Sequence, residues 1–328
     1  GLGTAVVLWL GGLGVLDGRI TLGDFVAFNS YLGILAWPTV AMGWVINVFQ
    51  RGFAALDRIC AILDEPADRD PEGSGEPEAV AGEIELDRVT FRYPGSSRSV
   101  LDSVSLRIPA GSFCWIVGGV GSGKTTLAHL IARLYHPTSG EIRIGGRRLE
   151  EIPDQDLRDG LGFAPQESFL FSRSLEENIG MGMKFSDPDR VREVGRISRL
   201  DPDIDEMPAG WKTMVGERGF TLSGGQRQRA ALARTLAPRP QILILDDTLS
   251  SLDAETEKIL LDRLRRESRG KTLILISHRL TSVIDADQVF VLRDGKLVEE
   301  GKGSELLEAG GPFADLFRQQ RLGPEPAG

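Results

Sequence analysis

Two aspartates stand side by side at the end of an aliphatic run, in "ILILDD", residues 242–247. One acid at such a strand end suits a divalent metal, which leaves the second beside it to be explained. Upstream, "GGVGSGKT", Gly118–Thr125, fits the G-x-x-x-x-G-K-[ST] pattern between an apolar run, Phe113–Val117, and a helical run. Gly118, Gly121, Ser122 and Gly123 let successive backbone N–H groups turn inward around a phosphate, and the helix start adds its positive dipole end. In this pattern Lys124 is expected to reach the β- and γ-phosphates and the Thr125 hydroxyl to join Mg2+. A second turn of small residues, Ser223, Gly224 and Gly225 in "FTLSGGQRQR", precedes another helical run from about Gln226. It is a further anion site of the same physical kind. Because the first loop already holds the phosphates of this chain, the second makes sense facing a nucleotide on another subunit.

The elements that must hold these residues alternate. Short continuous aliphatic runs, "FCWIVG", "LGFAPQ", "ILILDD" and "TLILISH", lie between helical patterns such as "TLAHLIARLY". That pattern predicts a mostly parallel sheet covered on both faces. His129 and His136, on or after the helix that follows the phosphate loop, read as surface or packing residues. The start of the chain differs. Residues 1–16 carry no charge, a polar hinge spans Asp17 to Asp24, and Phe25–Gln50 is again uncharged and includes Trp37 and Trp44. The second run is long enough to cross a bilayer with some tilt, while the first is a few residues short. Arg51 and Arg58 put the end of the second run on the cytoplasmic side, and helical spacing continues to Pro66. Trp37, Trp44 and Phe49 are candidates to face a cavity, lipid or other helices, and Gly33, Pro38 and Gly43 for bending or close helix contact. "ADRDPEGSGEPEAVAG", residues 67–82, reads as a solvated acidic linker, and "GPEPAG" from Gly323 as a disordered tail. The expected organisation is a transmembrane part over 1–66, the linker 67–82, a nucleoside triphosphate-binding domain over 83–322 and the tail 323–328.

Composition narrows the partners. Of 328 residues, 26% are charged and the formal net charge is −9, which opposes a nucleic-acid surface. Cys60 and Cys114 are the two cysteines and stand far apart, so no disulfide framework or zinc site is expected. No basic n-region precedes an apolar stretch, so no signal peptide is read.

Taken in order, these motifs make the chain resemble the ATP-binding cassette (ABC) transporters, specifically exporters that fuse a membrane domain to an ATPase domain. Gly118–Thr125 resembles the Walker A loop, with Thr126 following it; "LSGGQ", ending at Gln226, resembles the signature, and "ILILDD" the Walker B strand. Gln166 in "FAPQE" resembles the Q-loop, "SSLD", ending at Asp253, the D-loop, and His278 in "ISHRL" the switch histidine. Tyr93 in "FRYPG" resembles the aromatic that stacks on adenine, and "VGERG", Val215–Gly219, the loop that touches the partner's membrane helices. The resemblance implies an α/β P-loop cassette, with antiparallel β and helical subdomains, preceded by an all-α transmembrane segment. It implies ATP and Mg2+ as ligands, with Thr125, Gln166 and Asp246 at the metal, and Asp247, Gln166 and His278 at the chemistry. It implies a dimer sandwiching two ATPs, so that Ser223, Gly224, Gly225, Gln226 and Asp253 face the nucleotide across the interface. It also implies a bacterial-type inner (plasma) membrane location, multi-pass, with the ATPase part cytoplasmic. Loops near Gln166 and Glu217 would pass closure to the spans. Family exporters have six spans per half, so residues 1–50 resemble the end of the fifth and the sixth, with the first four lying upstream.

One position departs from the family pattern. The residue after the Walker B aspartate is normally Glu, and here it is Asp247, shorter by one methylene, about 1.5 Å. A misplacement of about 1 Å can cost roughly 10²-fold in rate. The reading is a site that binds ATP and hydrolyses it slowly, in a heterodimer whose other half bears the Glu; the homodimer is the alternative. A regulatory ATP-binding subunit with negligible catalysis is a second function class. A soluble cassette ATPase of the chromosome-maintenance or repair type is a third, opposed by the apolar start and the acidic charge. The transported substrate cannot be read from these residues.

Overall fold

The computed structural model describes residues 2–64, 79–216, 219, 221–250, 252–278 and 283–322. Most of the acidic linker (65–78), the tail 323–328, Glu217 and Ser251 lie outside the described residues. The chain divides into two compact units, Gly1–Arg69 and Asp70–Gly328.

The first unit is a helical hairpin, α1 (Leu2–Leu16) and α2 (Leu22–Leu63). The hinge ends earlier than its charges suggest, because Thr21 caps α2: its hydroxyl accepts from Asp24 N, and the Asp24 carboxylate accepts from Thr21 N at 3.1 Å. Gly11 sits where any Cβ would fall 2.5 Å from the Phe25 ring, so its missing side chain is what lets α1 and α2 touch. No residue of α2 is buried, and Trp37 and Trp44 are 73% and 66% exposed. An uncovered apolar surface of that kind is one that a protein partner or a lipid surface can cover. At 42 residues α2 measures about 63 Å at 1.5 Å per residue, roughly twice a bilayer core. Among the described residues α2 alone is long and apolar enough to cross a membrane; α1 is shorter.

The second unit is built on two sheets. A four-stranded antiparallel sheet has the order β2-β1-β4-β5, with β1 Ile84–Phe91, β2 Leu101–Ile108, β4 Ser139–Ile144 and β5 Arg147–Arg148. A six-stranded sheet has the order β10-β9-β3-β8-β7-β6, with β3 Phe113–Gly118, β6 Leu161–Ala164, β7 Ile242–Asp246, β8 Thr272–Ile276, β9 Gln288–Arg293 and β10 Lys296–Gly301. Its strands pair in parallel except β9–β10.

The period of two along these strands sorts the core into two layers. On β7 and β8, Leu243, Leu245, Leu273 and Leu275 join one cluster, with residues of α5 (Leu175–Gly180), α6 (Pro188–Ile197), α8 (Gly224–Leu236) and α9 (Ala254–Glu267). Ile242, Ile244, Ile274 and Ile276 join the other, with Leu127 and Leu130 of α3 (Lys124–Ile131) and the inner face of the antiparallel sheet. Such doubly covered strands explain why the sequence shows continuous aliphatic runs rather than alternation. The remaining helices are α4 (Asp154–Gly160), α7 (Asp201–Glu206), α10 (Gly303–Ala309) and α11 (Pro312–Leu322).

The helix after the phosphate loop is shorter than the pattern "TLAHLIARLY" predicts. It stops at Ile131 because Arg133 turns left-handed (φ 52°), with Arg133 N donating to Leu130 O and Leu134 N to His129 O. That bond pair is a Schellman ending, usually built on glycine. Here the cost of a non-glycine residue is offset by the Arg133 guanidinium, which donates to Leu149 O and Ile152 O and pairs with Asp154.

Candidate functional site

Strand order and register bring the phosphate loop and the acids to one edge. In the parallel sheet Ile116 pairs with Ile276, Asp246 with Ile276, and Ala164 with Leu245. The carboxyl ends of β3, β8, β7 and β6 therefore deliver, side by side, the loop Gly118–Thr125, His278, the pair Asp246–Asp247, and Gln166. Ligands of parallel α/β sheets bind outside the carboxyl ends of the strands, which is this edge.

The loop keeps its shape through positions closed to side chains. A Cβ at Gly118 would fall 2.2 Å from Leu292 O, and one at Gly123 would fall 2.7 Å from Leu101 Cδ2; both glycines also have positive φ. Lys124 Nζ donates to Gly118 O at 2.9 Å and to Gly119 O at 2.8 Å, so the ammonium lies over the loop. Its burial pulls the Lys124 pKa down, while Asp246 and Asp247 oppose that shift. Ser122 is buried, and Gly121 turns left-handed (φ 76°) with open space where a Cβ would be.

Asp246 is 1% exposed, and its Oδ2 has no hydrogen-bond partner. Burial raises its pKa; the Thr125 hydroxyl, which bonds the carboxylate, opposes the rise. A buried carboxylate oxygen without a partner beside a threonine hydroxyl is a hard-oxygen donor set, so these residues fit Mg2+. Asp247 takes a left-handed backbone (φ 49°), which aspartate tolerates better than most residues. Asp247 N donates to Ile276 O, and the Ser250 hydroxyl donates to Asp247 O, both at 2.8 Å. His278 Nδ1 stands 3.0 Å from Asp247 Oδ1, close enough to pair although not aligned as a hydrogen bond. Gln166 is exposed on the loop after β6, level with Asp247 by register.

Tyr93 joins the loop from the other sheet. The chain leaves β1 into "YPGS", where Ser96 N donates to Tyr93 O at 3.0 Å and Gly95 has φ 78°, a type II turn with proline at its second position. The Tyr93 hydroxyl lies 3.1 Å from Thr126 Oγ1, and Thr126 is 5% exposed.

The second glycine turn stands apart. Ser223 caps α8 in a complete capping box: its hydroxyl accepts from Gln226 N at 3.2 Å, and Gln226 Oε1 accepts from Ser223 N at 2.9 Å. Gln226 Nε2 donates to Asp203 of α7, whose other oxygen is held by Arg229. The helix starts at Gly224, two residues before its predicted start, and Ser223 and Gly224 are exposed. Asp253 is likewise exposed and caps α9 through Thr256 N, a bond that holds its pKa below the usual carboxylate range. None of these bonds reaches the phosphate loop.

Two residues gain weight over their sequence reading. His129, one helical turn after Thr125, has a buried Nδ1 without a partner, and its ring meets Phe163 at 5.7 Å. Burial lowers its pKa, opposed by Asp246, so it lies within electrostatic reach of the metal-type acid. The i, i+4 spacing from Thr125 was the available signal. Tyr135 packs against Tyr93 and carried no signal in its spacing.

Known proteins match over most of this chain. The family profile described as "ABC transporter" covers residues 101–250. The probable multidrug resistance ABC transporter ATP-binding/permease protein YheI of Bacillus subtilis (strain 168) is 39% identical over 312 residues, 94% of this chain and 53% of that protein. The multidrug resistance-like ATP-binding protein MdlA of Escherichia coli (strain K12) is 36% identical over 323 residues, 98% of this chain and 55% of MdlA. The ATP-dependent lipid A-core flippase of Aromatoleum aromaticum is 40% identical over 324 residues, 98% of this chain and 53% of the flippase. Among solved structures, a bacterial Atm1-family ABC exporter with ATP bound is similar over 100% of this chain and 57% of its own, with a TM-score of 0.77 and 33% identity. The chain spans about half the length of the curated relatives it matches.

Proposed function

Since the chain belongs to the ABC transporters, as an ATPase domain fused to a membrane-type helical segment and homologous to exporter half-transporters, we propose that it is the ATP-binding and hydrolysing subunit of a membrane exporter. ATP is the substrate, held at the phosphate loop with Tyr93 against the base. Thr125 and Asp246, with Gln166 alongside, would hold Mg2+, which when bound would neutralise charge on the phosphates and polarise the one that is transferred. Lys124 leaves its loop carbonyls for the β- and γ-phosphates. His278 and Asp247 sit over the same edge, His278 to hold the γ-phosphate and Asp247 to accept a proton from the attacking water.

The exposed signature supports a dimer. Ser223 and Gly224 are exposed at a helix N-terminus, and a second subunit's nucleotide is the anion such an end suits. Residues 1–66 supply membrane spans in a multi-pass assembly at the inner membrane, 67–82 a linker, and 83–322 the cassette. The lipid bilayer and a second exporter half are then partners, and nucleic acid is not.

The observation that carries the finer reading is Asp247 itself. It is one methylene shorter than the glutamate of the family pattern and already within 3.0 Å of His278. With its shorter side chain beside the histidine, its carboxylate reaches less far toward an attacking water, so the site built on this chain hydrolyses slowly. A heterodimer with a Glu-bearing partner then supplies the faster site, and the signature of this chain completes it. The test is turnover with and without such a partner, and of Asp247→Glu. Brisk hydrolysis by the homodimer, or no gain in the Glu variant, counts against a slow site. Partner-independent ATP binding with no turnover in any assembly favours the regulatory-subunit reading, which the same residue supports.

A further inference from the structure

Three aromatic rings close a triangle beside the phosphate loop. Phe91 and Tyr93 meet at 4.9 Å and 83°, Tyr93 and Tyr135 at 5.3 Å and 87°, and Phe91 and Tyr135 at 5.5 Å and 53°. Edge-to-face contacts of this kind are directional, since a positive ring edge meets a negative face. Phe91 is 4% exposed and belongs to the core, whereas Tyr135 is 38% exposed on the rim. Tyr93 thus has one buried wall, one rim wall and a hydroxyl tethered to Thr126. Without Tyr135 the rim wall is gone, and the ring can swing about its two side-chain torsions.

The placement of Tyr135 is itself built. It follows α3 by four residues, and the left-handed turn at Arg133 carries the chain back toward the antiparallel sheet. The Arg133 side chain fixes that turn through Leu149 O, Ile152 O and Asp154. The exit of the phosphate-loop helix and the orientation of Tyr93 are therefore mechanically linked.

We infer that Tyr135 is a positioning residue for base recognition: it holds the Tyr93 ring edge-on so that a purine can stack on it, and it touches no phosphate. This rests on the reading of Tyr93 as the aromatic beneath the base. A base–aromatic stack is sequence-tolerant but demands a fixed face, so loss of the support costs affinity for nucleotide and leaves affinity for bare phosphate alone.

The experiment compares equilibrium binding of MgATP and of magnesium tripolyphosphate to the intact full chain carrying Tyr93→Leu, Tyr135→Leu or Tyr135→Phe. The expected result is a roughly 2- to 10-fold loss of ATP affinity in Tyr135→Leu, the fold-change an aromatic pair carries. Tripolyphosphate affinity stays unchanged, Tyr135→Phe binds as the unaltered chain does, and Tyr93→Leu loses at least as much. Adding Tyr135→Leu to Tyr93→Leu then costs nothing further. Unchanged ATP affinity in Tyr135→Leu while Tyr93→Leu weakens it overturns the inference and leaves the Tyr93 reading standing. An equal loss for ATP and tripolyphosphate also overturns it, because the residue would then support the loop and not the base. If Tyr93→Leu fails to separate the two ligands, the reading of Tyr93 falls and the inference with it. Should Tyr135→Leu not fold, Tyr135→Met carries the same comparison.

Discussion

Both glycine turns, Gly118–Gly123 and Ser223–Gly225, end in helix N-termini, yet their surroundings differ. Around the first, charge is buried: Asp246 is 1% exposed with an oxygen unpartnered, and Lys124 is turned back onto its own loop. Around the second, the bonds close locally, through the Ser223–Gln226 capping box and the Gln226–Asp203 contact, and Ser223 and Gly224 are exposed. The first turn lies beside a buried acid with an unpartnered oxygen; the second closes its capping bonds locally and is exposed. Under the proposed function the same anion-binding physics would serve one pocket and one half of a dimer interface, and burial is what distinguishes them.

The largest effect belongs to the buried turn. Replacing Lys124 by Ala removes charge-assisted bonds to phosphate worth about 1.5–3 kcal/mol each, so ATP affinity measured by titration falls by about 10²-fold. Ser223→Ala leaves ATP affinity of the isolated chain unchanged, and a loss there as large as for Lys124 would erase the distinction. Next comes Asp247→Glu, expected to raise turnover at the site of this chain by about 10-fold, with about 10² as the upper bound set by reach. Ser223→Ala, read by denaturant unfolding, costs about 1 kcal/mol as a lost helix cap.

Asp246→Asn sharpens the comparison through stability. Burial raises the Asp246 pKa above its ordinary value of 3.8. An acid shifted upward on folding binds its proton more tightly in the native state, so stability falls as pH climbs from the unfolded value through the folded one. Asp246→Asn therefore raises the unfolding midpoint at pH 7, by about 2–4 °C per kcal/mol recovered, and flattens the pH dependence over that window. The opposite shift would mean that the buried oxygen has a partner. The smallest effect concerns the thiols. Burial pushes the Cys114 pKa up to about 11, while Cys60 is exposed. Alkylation at pH 8 followed by mass spectrometry labels Cys60 and spares Cys114.

The strands, the phosphate loop and the signature were legible in the sequence because local rules set them. Aliphatic runs such as "ILILDD" must be doubly buried, and glycines at 118 and 123 answer to backbone clashes that any Cβ would create. Helix limits were less legible. The stop at Ile131 depends on Arg133 reaching Leu149 O and Asp154, partners that no window of sequence contains.

By itself the sequence determined the aliphatic strands, the glycine turns that precede two helices and the residue type at Asp247, since residue type and short spacing carry all three. Tertiary structure alone decided that Asp246 is buried, that Asp246 and Asp247 each keep an unpartnered oxygen, that His278 stands 3.0 Å from Asp247, and that Tyr93 is walled by Phe91 and Tyr135. Those facts depend on strand order and on chain segments far apart in sequence, and contacts of that kind exist only once the sheet has closed the distance between them.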